Sequence, residues 1–134
     1  MKPSLIDTDI PSEFFRGNEK VVDNADKYLQ EYPSINFSII TYYEILNGLL
    51  YKDAQRQLKK FNTFVERNTI VPLSMQAAEI AAGIYANLRT KRETIGHTDS
   101  LIAEIALANN LQLVTNNNKH FQKIQGLKLS NWLK

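Results

Sequence analysis

The stretch Thr98-Asp99-Ser100-Leu101-Ile102-Ala103-Glu104-Ile105-Ala106-Leu107-Ala108-Asn109-Asn110-Leu111-Gln112-Leu113-Val114-Thr115 decides the fold class. Up to Asn110 it carries Leu101, Ile102, Ile105 and Ala106 on one helical face, and the paired asparagines then release the chain into a short apolar strand, 111–115. A helix feeding directly into a buried strand is half of a β-α-β unit. The other end of the chain has the complementary half. Pro3-Ser4-Leu5-Ile6 reads as a buried strand ending at Asp7, and Asp9-Ile10-Pro11-Ser12 supplies a capping residue with proline near the first helical positions.

The intervening sequence keeps alternating. Val21, Val22, Ala25, Tyr28 and Leu29 recur at helical spacing between Asn18 and Glu31, and Tyr32-Pro33 stops the run. Ile35-Asn36-Phe37-Ser38 is a second strand, after which Ser38 or Thr41 can cap a helix running through Leu49. Residues 53–67 put Leu58, Phe61, Phe64 and Val65 on one face, the second arm of a helical hairpin with solvated lysines. Thr69-Ile70-Val71-Pro72-Leu73 is a strand whose proline places it at a sheet edge or at its own end. Ser74 then caps an alanine-rich helix reaching the charged cluster Arg89, Lys91, Arg92 and Glu93. Beyond the polar turn 116–118, a short helix over 119–124, a turn at Gly126, a strand at 127–129 and Trp132 as an anchor close the chain. Strands and helices alternating over this length predict a single domain, 1–134. Its architecture is a three-layer α/β/α sandwich around a central, mainly parallel sheet.

Composition narrows the function classes. The 134 residues are 43% hydrophobic and 22% charged, and no apolar run approaches the roughly 20 residues of a membrane span. Without an apolar signal core near Met1, the cytoplasm is the expected location. The absence of cysteine excludes disulfides, zinc-thiolate sites and cysteine nucleophiles. Sixteen basic against fourteen acidic residues is too even a balance to mark a nucleic-acid binder by bulk charge, so any basic surface is local.

Three carboxylates, Asp7, Glu44 and Asp99, each stand where a strand or loop hands over to a helix. In an α/β sheet such positions gather at the carboxyl ends of the strands, where ligands bind. If they converge they form an oxygen-only metal site suited to Mg²⁺ or Mn²⁺ and hence to phosphate chemistry. Local explanations compete for two of them: Thr41-x-x-Glu44 is a passable capping box, and Asp99 in a first helical turn is favoured by the helix dipole. Asp7 ends an apolar strand where neither reason applies. Thr8 and Thr115 follow strands and can hold the carboxylates by hydroxyl hydrogen bonds or simply form turns, while Asp9 could contact a metal through water but, placed before Ile10-Pro11, reads more readily as an N-cap and stays outside the core set. His97 and His120 lack a serine, cysteine or zinc-pair context and read as surface residues. Lys91, Arg92, Lys119 and Lys123 are phosphate contacts or merely helix-end charges.

The ordered blocks 5–8 (Leu-Ile-Asp-Thr), 41–48 (Thr-Tyr-Tyr-Glu-Ile-Leu-Asn-Gly), 98–103 (Thr-Asp-Ser-Leu-Ile-Ala) and 113–121 (Leu-Val-Thr-Asn-Asn-Asn-Lys-His-Phe), closed by Gly126-Leu127 and Trp132, resemble the PIN-domain family, especially its VapC-like toxins. The resemblance spans nearly the whole chain. It implies a Mg²⁺- or Mn²⁺-dependent endoribonuclease, usually a homodimer, acting as a toxin on RNA that includes tRNA. A cognate antitoxin neutralises it by inserting a segment near the active site. Matched position by position, Asp7, Glu44 and Asp99 fall on the family's metal-binding acids and Thr115 on its late hydroxyl.

The fourth acidic position departs from that pattern, with Asn117 as the best match and His120 just before Phe121. An uncharged donor there weakens attraction for a second divalent ion, which predicts one firm metal site. The implied mechanism is hydrolysis by a water that the ion activates. Asp7 and Asp99 act as principal ligands, Glu44 as ligand or water orienter, and Asn117 and Thr115 as supports. Exposed apolar and aromatic side chains around Tyr42, Tyr43, Leu50 and Tyr51 would suit a dimer interface. Two rivals remain: a phosphoacceptor receiver domain, which lacks here its strand-end lysine, and a PIN-fold scaffold that binds RNA or protein without cutting.

Overall fold

A computed structural model of the protein describes residues 1–93 and 95–134. Among these the chain forms, in order, β1 (Ser4–Ile6), α1 (Asp9–Phe15), α2 (Glu19–Glu31), β2 (Asn36–Ser38), α3 (Ile39–Tyr51) and α4 (Gln55–Arg67). There follow β3 (Thr69–Val71), α5 (Met75–Thr90), α6 (His97–Ala108), β4 (Gln112–Val114), α7 (Asn118–Phe121) and β5 (Leu129–Ser130). All four strand pairings are parallel, in the order β3-β2-β1-β4-β5. β3 lies at an edge, where Pro72 just after it costs no ladder bond.

Alternation along the short strands splits the core in two. Leu5, Val71 and Leu113 face one side with Leu88, Ile102, Ile105 and Phe121. Ile6, Phe37 and Val114 face the other with Ile10, Val21, Tyr28, Phe61, Phe64 and Trp132. Helices therefore cover both faces of one parallel sheet, as the sequence predicts. Trp132 does anchor the end of the chain, its ring 5.8 Å from that of buried Tyr28, whose hydroxyl accepts the Ser4 N–H at 3.1 Å.

Several boundaries differ from the sequence reading for local reasons. Ser38, not Thr41, caps α3: its Oγ accepts the Thr41 N–H at 3.0 Å. That moves Glu44 into the second turn and leaves the capping-box explanation without a cap to serve. α4 begins at Gln55 because Asp53 adopts φ 51° in the tight turn of the hairpin. The last strand sits later than 127–129, its two residues fixed by pairing with Leu113 and Val114. Tyr42 is no surface residue but stacks on Phe61 with ring centroids 5.9 Å apart, whereas Tyr43, Leu50 and Tyr51 are exposed.

Glu104 is a liability within α6. It is 4% exposed, flanked by buried Ala103 and Ile105, and its Oε2 has no hydrogen-bond partner among the described residues. Burial pushes its carboxyl pKa up from 4.5. Below pH 4.5 the group is neutral folded or unfolded; above it, ionisation penalises the folded chain alone. Glu104→Gln is therefore expected to stabilise the protein at pH 8, on the order of 1 kcal/mol, with the gain vanishing below pH 4.5. Thermal melting across pH checks this; an equal shift at every pH would contradict it.

Candidate active site

The strand order reverses between β1 and β4, since the chain proceeds from β1 outward to β3 on one side and from β4 to β5 on the other. The crevice at the carboxyl ends of two such strands is the usual ligand position in an open parallel sheet. Asp7 and Thr115 are the residues that leave β1 and β4 there. The Asp7 N–H extends the ladder to the Val114 carbonyl at 2.8 Å, which fixes its backbone.

The Asp7 carboxylate is 3% exposed. Its Oδ1 accepts the Thr8 N–H and its Oδ2 the Thr115 hydroxyl, both at 2.8 Å. Despite these stabilising bonds its pKa is raised from 3.8 to about 7, first by burial, then by the negative charge of Asp9 and, more weakly, of Asp99. Asp9 also lies above its ordinary range, again through burial first, with Asp99 and Glu13 adding repulsion against the Asn116 N–H that its Oδ2 accepts at 2.9 Å. Three acids from two ends of the chain thus repel one another in a poorly hydrated crevice.

Asp9 corrects the sequence reading. It is the first residue of α1 and Thr8 occupies the cap position, so the carboxylate is free to cross to the Asn116 backbone. Its Oδ1 is buried with no hydrogen-bond partner among the described residues. The signal available in the sequence was the Asp7-x-Asp9 spacing at a strand end.

Glu44 reaches the crevice through hydroxyls. Ser38 Oγ donates to Thr41 Oγ1 at 3.3 Å, the Thr41 and Thr8 hydroxyls are 3.0 Å apart, and Thr8 Oγ1 donates to Glu44 Oε1 at 2.7 Å. Because Thr8 spends its proton on Glu44, the bond from Thr41 runs toward Thr8, and the relay has one direction. Asp99 lies in the first turn of α6, where its Oδ2 is 3.2 Å from His120 Nδ1. His120 is exposed yet belongs to the site's rim, whereas His97 stacks on Tyr85 with centroids 4.0 Å apart.

Asn117 contributes its backbone. Its N–H donates to Thr115 Oγ1 at 3.0 Å, while its amide makes no hydrogen bond to the carboxylates among the described residues. Lys91 and Lys123 line a separate cavity with Asn87 and Glu93, and only Lys119 of the basic residues singled out in the sequence lies beside His120.

The donor set is hard oxygen throughout, and the raised Asp7 pKa with an orphaned Asp9 oxygen marks a cluster that a divalent cation would relieve. Among the described residues, no three acidic or imidazole groups already stand at mutual ligating distance. Such a cation would therefore take two or so carboxylates directly and the rest through water, as Mg²⁺ commonly does. No described helix is long and apolar enough to cross a membrane.

Comparison with known proteins agrees with this geometry. Residues 4–127 match the model of the PIN domain. Ribonuclease VapC2 of Rickettsia felis is 36% identical over a match covering 60% of either chain. The tRNA(fMet)-specific endonuclease VapC of Salmonella typhimurium is 29% identical over 83% of this chain and 89% of its own. A solved structure of DNA-bound VapBC from Salmonella typhimurium superposes with a TM-score of 0.85 at 26% identity, covering 98% of this chain and 99% of the other. With a PIN model spanning nearly all of it, the chain belongs to the PIN domain family and within it is similar to the VapC ribonucleases.

Proposed function

We propose that the protein is a Mg²⁺- or Mn²⁺-dependent endoribonuclease, the toxin of a toxin-antitoxin pair. The observation that carries this reading is Asp7: a buried carboxylate at the β1/β4 switch point, held by Thr115 and raised to about 7 beside Asp9 and Asp99. Asp7 and Asp99 would hold the ion, with Asp9 as a further oxygen. When bound, the ion supplies a Lewis acid for a phosphoryl oxygen and lowers the pKa of nearby water. Thr115 fixes the Asp7 rotamer, and Thr8 aims Glu44 at the crevice to orient the attacking water. Water oxygen adds to phosphorus as one phosphodiester P–O bond breaks, and no covalent enzyme intermediate is formed.

Thr8→Val keeps shape but removes the donor to Glu44. Cleavage is expected to fall about 10–100-fold, the scale for losing an outer-shell partner, with a modest fall in melting temperature because the buried Thr41 hydroxyl loses its acceptor; unaltered kinetics would remove the Thr8 bond to Glu44 from the mechanism.

The relatives' names support a ribonuclease and a tRNA substrate class, and the likeness to VapC solved within VapBC assemblies supports a cognate antitoxin as partner. A cavity of about 480 Å³ between α1, α3 and α4 has apolar Phe15, Ile45 and Leu49 in its lining and Arg16, Lys52 and Lys60 around it. It suits an amphipathic acidic segment of such a partner. Exposed Tyr43, Leu50 and Tyr51 on α3 suit a homodimer contact. Induced expression in a bacterial host tests the whole reading: growth arrest with newly cut RNA ends, relieved by Asp7→Asn, is expected. Arrest that survives the substitution would favour the non-cutting scaffold, for which the uncharged Asn117 is the one supporting feature.

A further inference from the structure

A polar cavity of about 330 Å³ is lined by the segment 116–120, with Asn131 and Lys134 completing its wall. Among the described residues no acidic side chain lines it. That is a sharp change of character from the crevice, and one segment makes both surfaces. Its inner edge is bonded to the acids: Asn116 N–H to Asp9, Asn117 N–H to the Thr115 hydroxyl that holds Asp7, and His120 Nδ1 beside Asp99 Oδ2. Its outer edge, the side chains of Asn116, Asn118 and Lys119, lines the cavity, which Asn117 and His120 line too.

The chemistry of that outer edge is dominated by donors. Asn131 is pinned at both ends, donating through Nδ2 to Asn116 Oδ1 at 2.9 Å and accepting the Leu133 N–H at 2.9 Å. With its oxygen thus occupied, the Asn116 amide keeps its N–H₂ for a ligand. Lys119 and Lys134 form no salt bridge among the described residues. Two cations and a row of exposed amides match phosphate oxygens and the carbonyl and ring-nitrogen acceptors of an unstacked base. Since the wall is bonded directly to the acids that would flank the scissile phosphate, the next residue of the same strand arrives here.

We propose that the cavity between 116–120, Asn131 and Lys134 is a subsite for the nucleotide adjoining the scissile bond in single-stranded RNA. Lys119 and Lys134 hold its phosphate and the asparagine amides contact its base. The inference rests on the nuclease reading but is separable from it. The probe is a fluorescein-labelled single-stranded RNA of randomised sequence, titrated by anisotropy into Asp7→Asn protein, which is not expected to cut it.

Adding Lys119→Ala with Lys134→Ala is expected to weaken binding about 10-fold at low salt. It should also reduce the slope of log Kd against log salt by about 1.4, the release expected for two phosphate contacts on a single strand. Lys20→Ala with Lys27→Ala, exposed on α2, should change neither. Asn118→Ala should flatten base preference at one position of the bound pool. Unchanged affinity and slope in the double lysine variant would overturn the subsite, and would do so alone if Asp7→Asn still abolishes metal-dependent cutting. Absence of RNA binding by the starting protein would overturn both readings. Loss of binding to a polyglutamate peptide with RNA binding intact would reassign the cavity to a protein ligand.

Discussion

Asp7→Asn is expected to abolish RNA cleavage while making the metal-free protein harder to unfold. The loss should be about 10³-fold, the scale on which removing one preorganised electrostatic group acts, because Asp7 is the carboxylate at the centre of the crevice. The gain follows from its pKa. In the unfolded chain Asp7 ionises near 3.8, whereas in the metal-free fold it does so near 7. Between those values the folded state holds a proton that the unfolded state has released, so the stability of the wild type falls as pH rises from 3.8 to 7.

That displacement corresponds to about 4 kcal/mol at roughly 1.4 kcal/mol per tenfold change in the proton equilibrium. Asparagine escapes this cost, and the hydrogen bonds from Thr8 and Thr115 are already counted in the net shift, so a gain of about 4 kcal/mol at most is expected, or roughly 10–15 °C in melting temperature at pH 8. Below pH 4 the two proteins should melt together. Calorimetric melting in EDTA checks it; a variant destabilised at pH 8 would show that Asp7 is a structural carboxylate rather than a site held ready for a cation.

The second large effect concerns the ion. A carboxylate ligand must shed its proton to bind, so affinity follows the fraction of ionised Asp7. With a pKa near 7, Mn²⁺ affinity should fall about tenfold for each pH unit below 7, about 100-fold by pH 5, and level off above neutrality. Asp9, also raised by burial, holds its proton in the same direction. Titration calorimetry with Mn²⁺ from pH 5 to 8 measures this directly. A flat profile would mean that the ion sits away from Asp7.

The layers of the fold and half of the site were legible because both follow from short-range rules. Alternating strands and helices fixed the sandwich, and Asp7 stood out as an acid closing an apolar strand with no helix of its own to cap. Asp9 was legible as a possible metal contact but was set aside by a sound local argument. Asp-Ile-Pro-Ser is a good helix start, and only the arrival of the Asn116 backbone, 107 residues later, shows where the carboxylate goes. His120 stood out beside the asparagine turn, but its partner did not, since Asp99 lies 21 residues before it on another helix. Thr41-x-x-Glu44 misled because Ser38 offers an equally good cap one turn earlier, and the structure uses that one. Tyr42 and Tyr43 look equivalent in sequence, yet helical geometry sends one onto Phe61 and the other into solvent. Distance along the chain, rather than weakness of the local signal, separates what could be read from what could not.

The most direct measurement is cleavage of RNA by the purified protein in Mg²⁺, in Mn²⁺ and in EDTA, beside folded Asp7→Asn and Asp99→Asn variants. Cutting that requires either metal and disappears in both variants is the predicted result. Cutting that persists in EDTA, or in both variants, would contradict a metal-dependent nuclease centred on Asp7 and Asp99.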